Sequence, residues 1–96
     1  MKREDIIVCL KDYKAANKDK YQIINIGLFG SVARNAMDSQ SDIDVVVKLK
    51  KQDLFNIIGI KQDLEERLHR SVDIVSYREK MNKFLKSRID DEAVYV

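Results

Sequence analysis

Apolar positions along this chain switch between a helical and a strand spacing, and the switches predict its elements. Over residues 3–16, Ile6, Ile7, Cys9, Leu10 and Tyr13 recur at helical spacing, with Arg3, Asp5, Lys11, Asp12 and Lys14 mostly elsewhere. Asn17-Lys18-Asp19-Lys20 reads as a polar break. Tyr21 to Phe29 reads as a first strand, with Ile24, Ile26 and Leu28 on one face and Ile23 and Phe29 on the other. A strand apolar on both sides suits the centre of a sheet covered by helices. A short helix-like piece carrying Arg34 follows, then a turn-rich loop over Asn35–Gln40 that the Ser41 side chain can brace. Asp42 to Leu49 is the second strand. A second helix over about 53–69 has Asp53 as its amino-terminal cap and Leu54, Ile57, Ile58, Leu64 and Leu68 as its stripe. Asp63, Glu65, Glu66 and Arg67 read as solvated, and Gly59 is mildly costly within a helix. Ser71 to Ser76 is a third strand, Tyr77 to Asp90 a third long helix with Met81, Phe84, Leu85 and Arg88-Ile89 inward, and Ala93 to Val96 a short final strand. The sum is an α/β fold: a small mixed β-sheet of about four strands flanked by helices. The strand order is left open, and the first two strands can pair as a hairpin or through a crossover.

Three acidic positions interrupt this pattern. Side chains alternate along a strand, so Asp42 and Asp44 share a face while Ile43, Val45 and Val47 share the other. Two anionic groups held a few ångströms apart either repel or hold a cation. Asp73 lies in the middle of a short apolar strand, with Val75 on its face and Val72 and Ile74 opposite, where a carboxylate is expensive unless paired or coordinating. If the two strands are neighbours, all three carboxylates can meet at one spot near Gly30-Ser31. There the glycine permits a sharp turn or a close ligand, and the serine can cap the next helix, whose amino terminus favours an anion. Alone, a Gly-Ser pair is no more than an ordinary strand-to-helix turn. Oxygen-only ligands select Mg²⁺ or Mn²⁺ over Zn²⁺. Two such metals ~3.5–4 Å apart are the arrangement used for in-line phosphoryl or nucleotidyl displacement. The residues therefore point to a metal-dependent phosphoryl-group or nucleotidyl transferase.

Composition narrows the field further. Ninety-six residues make one domain (1–96) with a modest core, and 45% apolar with 35% charged residues reads as a soluble globular chain. The absence of Pro and the presence of only three Gly leave little room for long irregular loops. A net charge of +2 is too small to imply a nucleic-acid or membrane partner. No apolar run approaches the ~20 residues of a membrane span, and the amino terminus has no secretory h-region. One Cys excludes an intramolecular disulfide and fits a reducing compartment, so a cytoplasmic location is expected. Cys9 falls on the apolar side of its helix and reads as a core thiol. The only His, His69, reads as a helix-end or exposed residue. Lys80, Lys83, Lys86 and Arg88 form a basic run: a solvated face first, contact with an acidic partner or a nucleotide second.

The wording of these motifs carries a resemblance. Gly30-Ser31-x-x-Arg34, then Ser41-Asp42-x-Asp44, then a lone Asp73 resemble the nucleotidyltransferase superfamily that includes DNA polymerase beta. LFGSVAR followed by SDIDVVV in a chain this small resembles the minimal nucleotidyltransferases, the MNT partners of HEPN-domain proteins in toxin–antitoxin pairs. The likeness covers about Tyr21 to the carboxyl terminus. It implies that Asp42 and Asp44 are the metal-binding pair and Asp73 the third carboxylate, which helps deprotonate the acceptor hydroxyl. It implies that Gly30 and Ser31 hold the nucleotide's phosphates, with Ser41 in the same nucleotide-binding motif. Arg34 would contact phosphate or pin the loop to an acid. Many relatives have Gly after this Arg; here Asn35 stands instead and tolerates a left-handed backbone. The implied function is that of a type VII-like antitoxin that moves AMP from ATP, with Mg²⁺, to a tyrosine hydroxyl of a HEPN toxin in a hetero-oligomer. A domain this small has little room for an acceptor site, so the partner would supply it, and the weak net charge argues against a polynucleotide acceptor. Two alternatives stand beside this: an antitoxin that neutralises by binding alone, and a nucleotidyltransferase subunit acting on a small molecule.

Overall fold

In the computed structural model, which describes residues 2–34 and 42–96, the elements are α1 (Arg3–Tyr21), β1 (Ile23–Phe29), α2 (Gly30–Ala33), β2 (Ile43–Leu49), α3 (Leu54–Leu68), β3 (Val72–Ser76), α4 (Lys83–Glu92) and β4 (Val94–Tyr95). The strand order is β3-β2-β1-β4. β1 and β2 pair antiparallel, as do β1 and β4, whereas β2 and β3 run parallel across the α3 crossover. This is a four-stranded mixed sheet flanked by helices, and it settles the pairing of the first two strands as antiparallel.

The sheet separates two cores. On one face Ile26, Leu28, Ile43, Val45, Val47 and Val72 meet Ile6, Leu10 and Tyr13 of α1 and Ile60, Leu64 and Leu68 of α3. Full burial of each such Leu or Ile is worth roughly 1.5–3 kcal/mol, so this face carries most of the fold's stability. On the other face Phe29, Val46 and Ile89 form a smaller core, joined by Val75, Tyr77, Met81, Leu85 and Ala93.

Several expected boundaries move. Helix α1 runs through Asn17–Lys20 to Tyr21, because these polar residues are its solvated outer turns rather than a break. It stops where Gln22 turns left-handed at φ 55° and donates its N–H to the Lys18 carbonyl. In β1 the face assignment changes partway. Ile23 pairs with Leu49 but Asn25 with Lys48, so one extra residue bulges out. The bulge flips the parity: Ile23 joins the core with Ile26 and Leu28, and Ile24 is left 45% exposed.

The two later helices face inward mostly as expected, with exceptions at their starts and at Ile58. Asp53 does cap α3, its carboxylate accepting from the Phe55 and Asn56 N–H groups. Leu64 and Leu68 are buried and Ile57 packs against the same core, as expected, with Ile60 added to the stripe, whereas Leu54 and Ile58 are exposed. The expected solvated Asp63 instead accepts the Tyr13 hydroxyl at 2.7 Å, and Glu65 accepts the Val72 N–H at 3.0 Å. Burial, then the Asp63 bond, pushes the Tyr13 phenol up. A Cβ on Gly59 would lie 2.8 Å from the Tyr21 hydroxyl, which explains glycine inside this helix. Helix α4 starts only at Lys83, capped by Asn82. Tyr77 instead prolongs β3, donating its N–H to the Val47 carbonyl at 2.8 Å. Phe84 faces outward, 84% exposed, while Met81, Leu85 and Ile89 lie inside as expected.

Candidate active site

The candidate residues gather at one end of the sheet, on the face of the smaller core. Phe29, the last residue of β1, is the register partner of Asp44, and Asp44 is the partner of Asp73 on β3. Because β2 and β3 are parallel and in register, Asp44 and Asp73 project side by side from the same face. Asp42 lies just before β2, exposed, as does Asp73 on its edge strand; Asp44 is half-buried between them. Burial pushes the Asp44 carboxyl up, the Asp73 charge adds to this, and the Asp42 charge adds less. Arg88 and Arg34 act the other way on Asp44. The strand order thus brings Asp44 and Asp73 side by side, with Asp42 two residues before Asp44 at the same end of the sheet.

Gly30 makes the close contact. Its φ is +73°, a left-handed value that disfavours any residue with a Cβ. A Cβ there would collide with the Asp44 carboxylate oxygen Oδ2. The glycine thus lets the turn after β1 lie directly against Asp44. Ser31 follows, half-buried, inside the first turn of α2. The helix cap is Phe29 and no side chain bonds to it, so Ser31 does not act as the cap. Its position one residue into the helix explains this, since a capping side chain must precede the first turn.

Glu92, at the end of α4, closes the turn. One oxygen accepts the Gly30 N–H at 3.1 Å, and the other accepts from the Arg34 guanidinium at 2.9 Å. Arg88, one helical turn earlier, lies 3.8 Å from the same carboxylate and 6.0 Å over the Phe29 ring. Arg34 therefore bonds to an acid in this state. Glu92 carries no signal of its own in the sequence, and Arg88 is read there only as part of the inner side of the helix and of a basic run. Their signal is the i,i+4 spacing of Arg88 and Glu92, which is commonplace on helices. Only the β1–β4 pairing brings that helix end beside Gly30. Ser41 lies outside the described residues. Among the described residues no three His, Cys, Asp or Glu side chains group closely enough to hold a metal ion as they stand. The donor set is nonetheless oxygen only, and its central carboxylate is one whose charge a cation would relieve.

A mixed sheet with two registered aspartates beside a strand–glycine–helix turn defines a nucleotidyl-transfer class of site. The family model for polymerase beta nucleotidyltransferases matches residues 5–96, and the chain belongs to that family. It is 32% identical to the protein adenylyltransferase MntA of Thermococcus cleftensis, over 97% of this chain and 94% of that protein. Among solved structures, one assigned as a minimal nucleotidyltransferase is 26% identical, with a TM-score of 0.79 over 98% of this chain and 95% of the other. A chain of a complex of tri-AMPylated Shewanella oneidensis HEPN toxin with MNT antitoxin shares the fold at 21% identity. Its TM-score is 0.72 over 97% of this chain and 70% of that one.

Proposed function

We propose that this chain is an antitoxin that silences a HEPN-domain toxin by moving AMP from ATP to a tyrosine hydroxyl of that toxin. The observation that carries the reading is the register of Asp44 with Asp73, set directly against the Gly30 turn. Near full-length similarity to a protein adenylyltransferase supports the choice of AMP and of a protein acceptor. We take residues 1–96 as a single nucleotidyltransferase domain, acting with its toxin in the cytoplasm as part of a hetero-oligomer.

The residues divide the work. Ser31, with Gly30 shaping the backbone, receives the phosphates of ATP; Ser41 and Arg34 complete the nucleotide side. Asp42, Asp44 and Asp73 would hold Mg²⁺. When bound, the metal neutralises triphosphate charge and favours the alkoxide form of the acceptor. Asp73, on the open edge strand, accepts the proton of the acceptor hydroxyl. The hydroxyl oxygen bonds to the α-phosphorus, the bond to the β-phosphate oxygen breaks, and pyrophosphate leaves. The edge position of β3 leaves this carboxylate open to a partner protein.

Intact-mass spectrometry tests the reading. The chain is mixed with ATP, Mg²⁺ and the HEPN protein of its neighbouring gene, beside an Asp42→Ala/Asp44→Ala control. AMP units gained by the partner, absent in the control, are expected. An unchanged partner mass within a stable complex would mean neutralisation by binding alone. An unchanged mass with no complex would point to a small-molecule acceptor.

A further inference from the structure

Glu92 lies outside every motif of the nucleotidyltransferase pattern, yet it is the residue through which the glycine turn and two guanidiniums are joined. Its carboxylate accepts the Gly30 N–H and the Arg34 side chain, and Arg88 flanks it. The glutamate side chain is 23% exposed, whereas those of Arg34 and Arg88 are 51% and 53% exposed. The acid is thus the inner member of the trio, and both cations keep an open side. Ion pairs this exposed contribute little to stability. A carboxylate that fixes two otherwise long and mobile side chains has a different use: it spares a ligand the cost of ordering them. Arg88 has a second restraint in the Phe29 ring, immediately before Gly30.

We propose that Glu92 is a positioning residue for the nucleotide: it holds the Gly30 turn and the Arg34 and Arg88 guanidiniums in a fixed rim beside Asp44 that receives the polyphosphate of ATP. The inference rests on the nucleotide reading above and adds two residues to it, Glu92 acting through others and Arg88 touching phosphate. The arginines meet the negative triphosphate with their open sides while Glu92 keeps its own bonds to them. Guanidinium–phosphate hydrogen bonds are charge-assisted and gain most from such pre-ordering.

The test is AMP-PNP affinity by calorimetry, with melting curves confirming that each variant is folded. Glu92→Ala is expected to weaken binding about tenfold, the scale of one charge-assisted bond. Glu92→Gln keeps one acceptor oxygen, for either Gly30 or Arg34, and is expected to recover part of that loss. Arg88→Ala is expected to weaken binding about as much. Because two of the three groups Glu92 holds are Arg34 and Arg88, Glu92→Ala placed on an Arg34→Ala/Arg88→Ala background should cost clearly less than the roughly tenfold it costs alone, what is left being its bond to Gly30, the non-additivity of residues in one network. Full additivity would overturn the inference, since a merely structural Glu92 would weaken every background alike. Undiminished binding by Glu92→Ala, with tight binding by the unaltered chain, would overturn this inference alone. No AMP-PNP binding by the unaltered chain would overturn the nucleotide reading and this inference together.

Discussion

Val45 and Asp44 are consecutive residues of β2, and they face two different environments. Val45 points into the core sealed by α1 and α3 and is wholly buried. Asp44 points to the other face, next to Asp73 and the Gly30 turn, which among the described residues α4 and the segment before it cover further along. One face is packed with apolar side chains throughout. The other is packed only where Phe29, Val46 and Ile89 meet, and ends in carboxylates and arginines. A single strand thus serves stability with one set of side chains and chemistry with the other. The chemical set opposes stability, because Asp44 is both part-buried and faced by like charge.

The largest effect should come from the sealed face. Leu64→Ala is expected to destabilise the chain by about 2–5 kcal/mol in urea unfolding, out of the roughly 5–15 kcal/mol typical of a domain. Activity should fall only because folded protein is lost. On the other face, Asp44→Asn should lower AMP transfer at least about 100-fold, the scale of losing a group that acts on transition-state charge. Its effect on stability should have the opposite sign. The folded-state pKa of Asp44 is raised, so the folded chain holds this proton more tightly than the unfolded chain does. Stability therefore falls as pH rises from the ordinary carboxylate range through the raised value. With a chelator present, Asp44→Asn should melt a few degrees higher than the unaltered chain at neutral pH. That advantage should vanish in acid, where Asp44 is protonated. Gly30→Ala should cost about 1–2 kcal/mol for its left-handed backbone, and more for its collision with Asp44, with transfer reduced beyond the stability loss. Phe84→Ser, at an exposed position of the open face, should stay within about 0.5 kcal/mol in the same unfolding assay.

Much of this contrast was legible in the sequence, and the exceptions have physical causes. The alternation Asp42-Ile43-Asp44-Val45 stated both faces of β2, because strand periodicity is strict. Asp73 and Gly30 were legible for the same reason: a charge in an apolar strand and a glycine at a strand end break local rules. Ile24 was assigned to the wrong face because a bulge leaves no mark in hydrophobic spacing. Phe84 and Leu54 read as inward because hydrophobic spacing counts every apolar residue near the stripe, including those in a first turn that extends beyond the core. Asp63 looked solvated because its partner, Tyr13, is 50 residues away. Glu92 was out of reach for the same reason, 62 residues from Gly30. The family resemblance supplied what spacing could not, namely AMP, the toxin and the tyrosine acceptor.

The most direct test is the mass of the HEPN partner after incubation with ATP, Mg²⁺ and the Asp44→Asn variant, confirmed as folded by its melting curve. The account predicts a partner at its unmodified mass beside a variant at least as stable as the parent, while the parent adds AMP. AMP on the partner at the parent's rate would contradict the assignment of catalysis to the carboxylate face of β2.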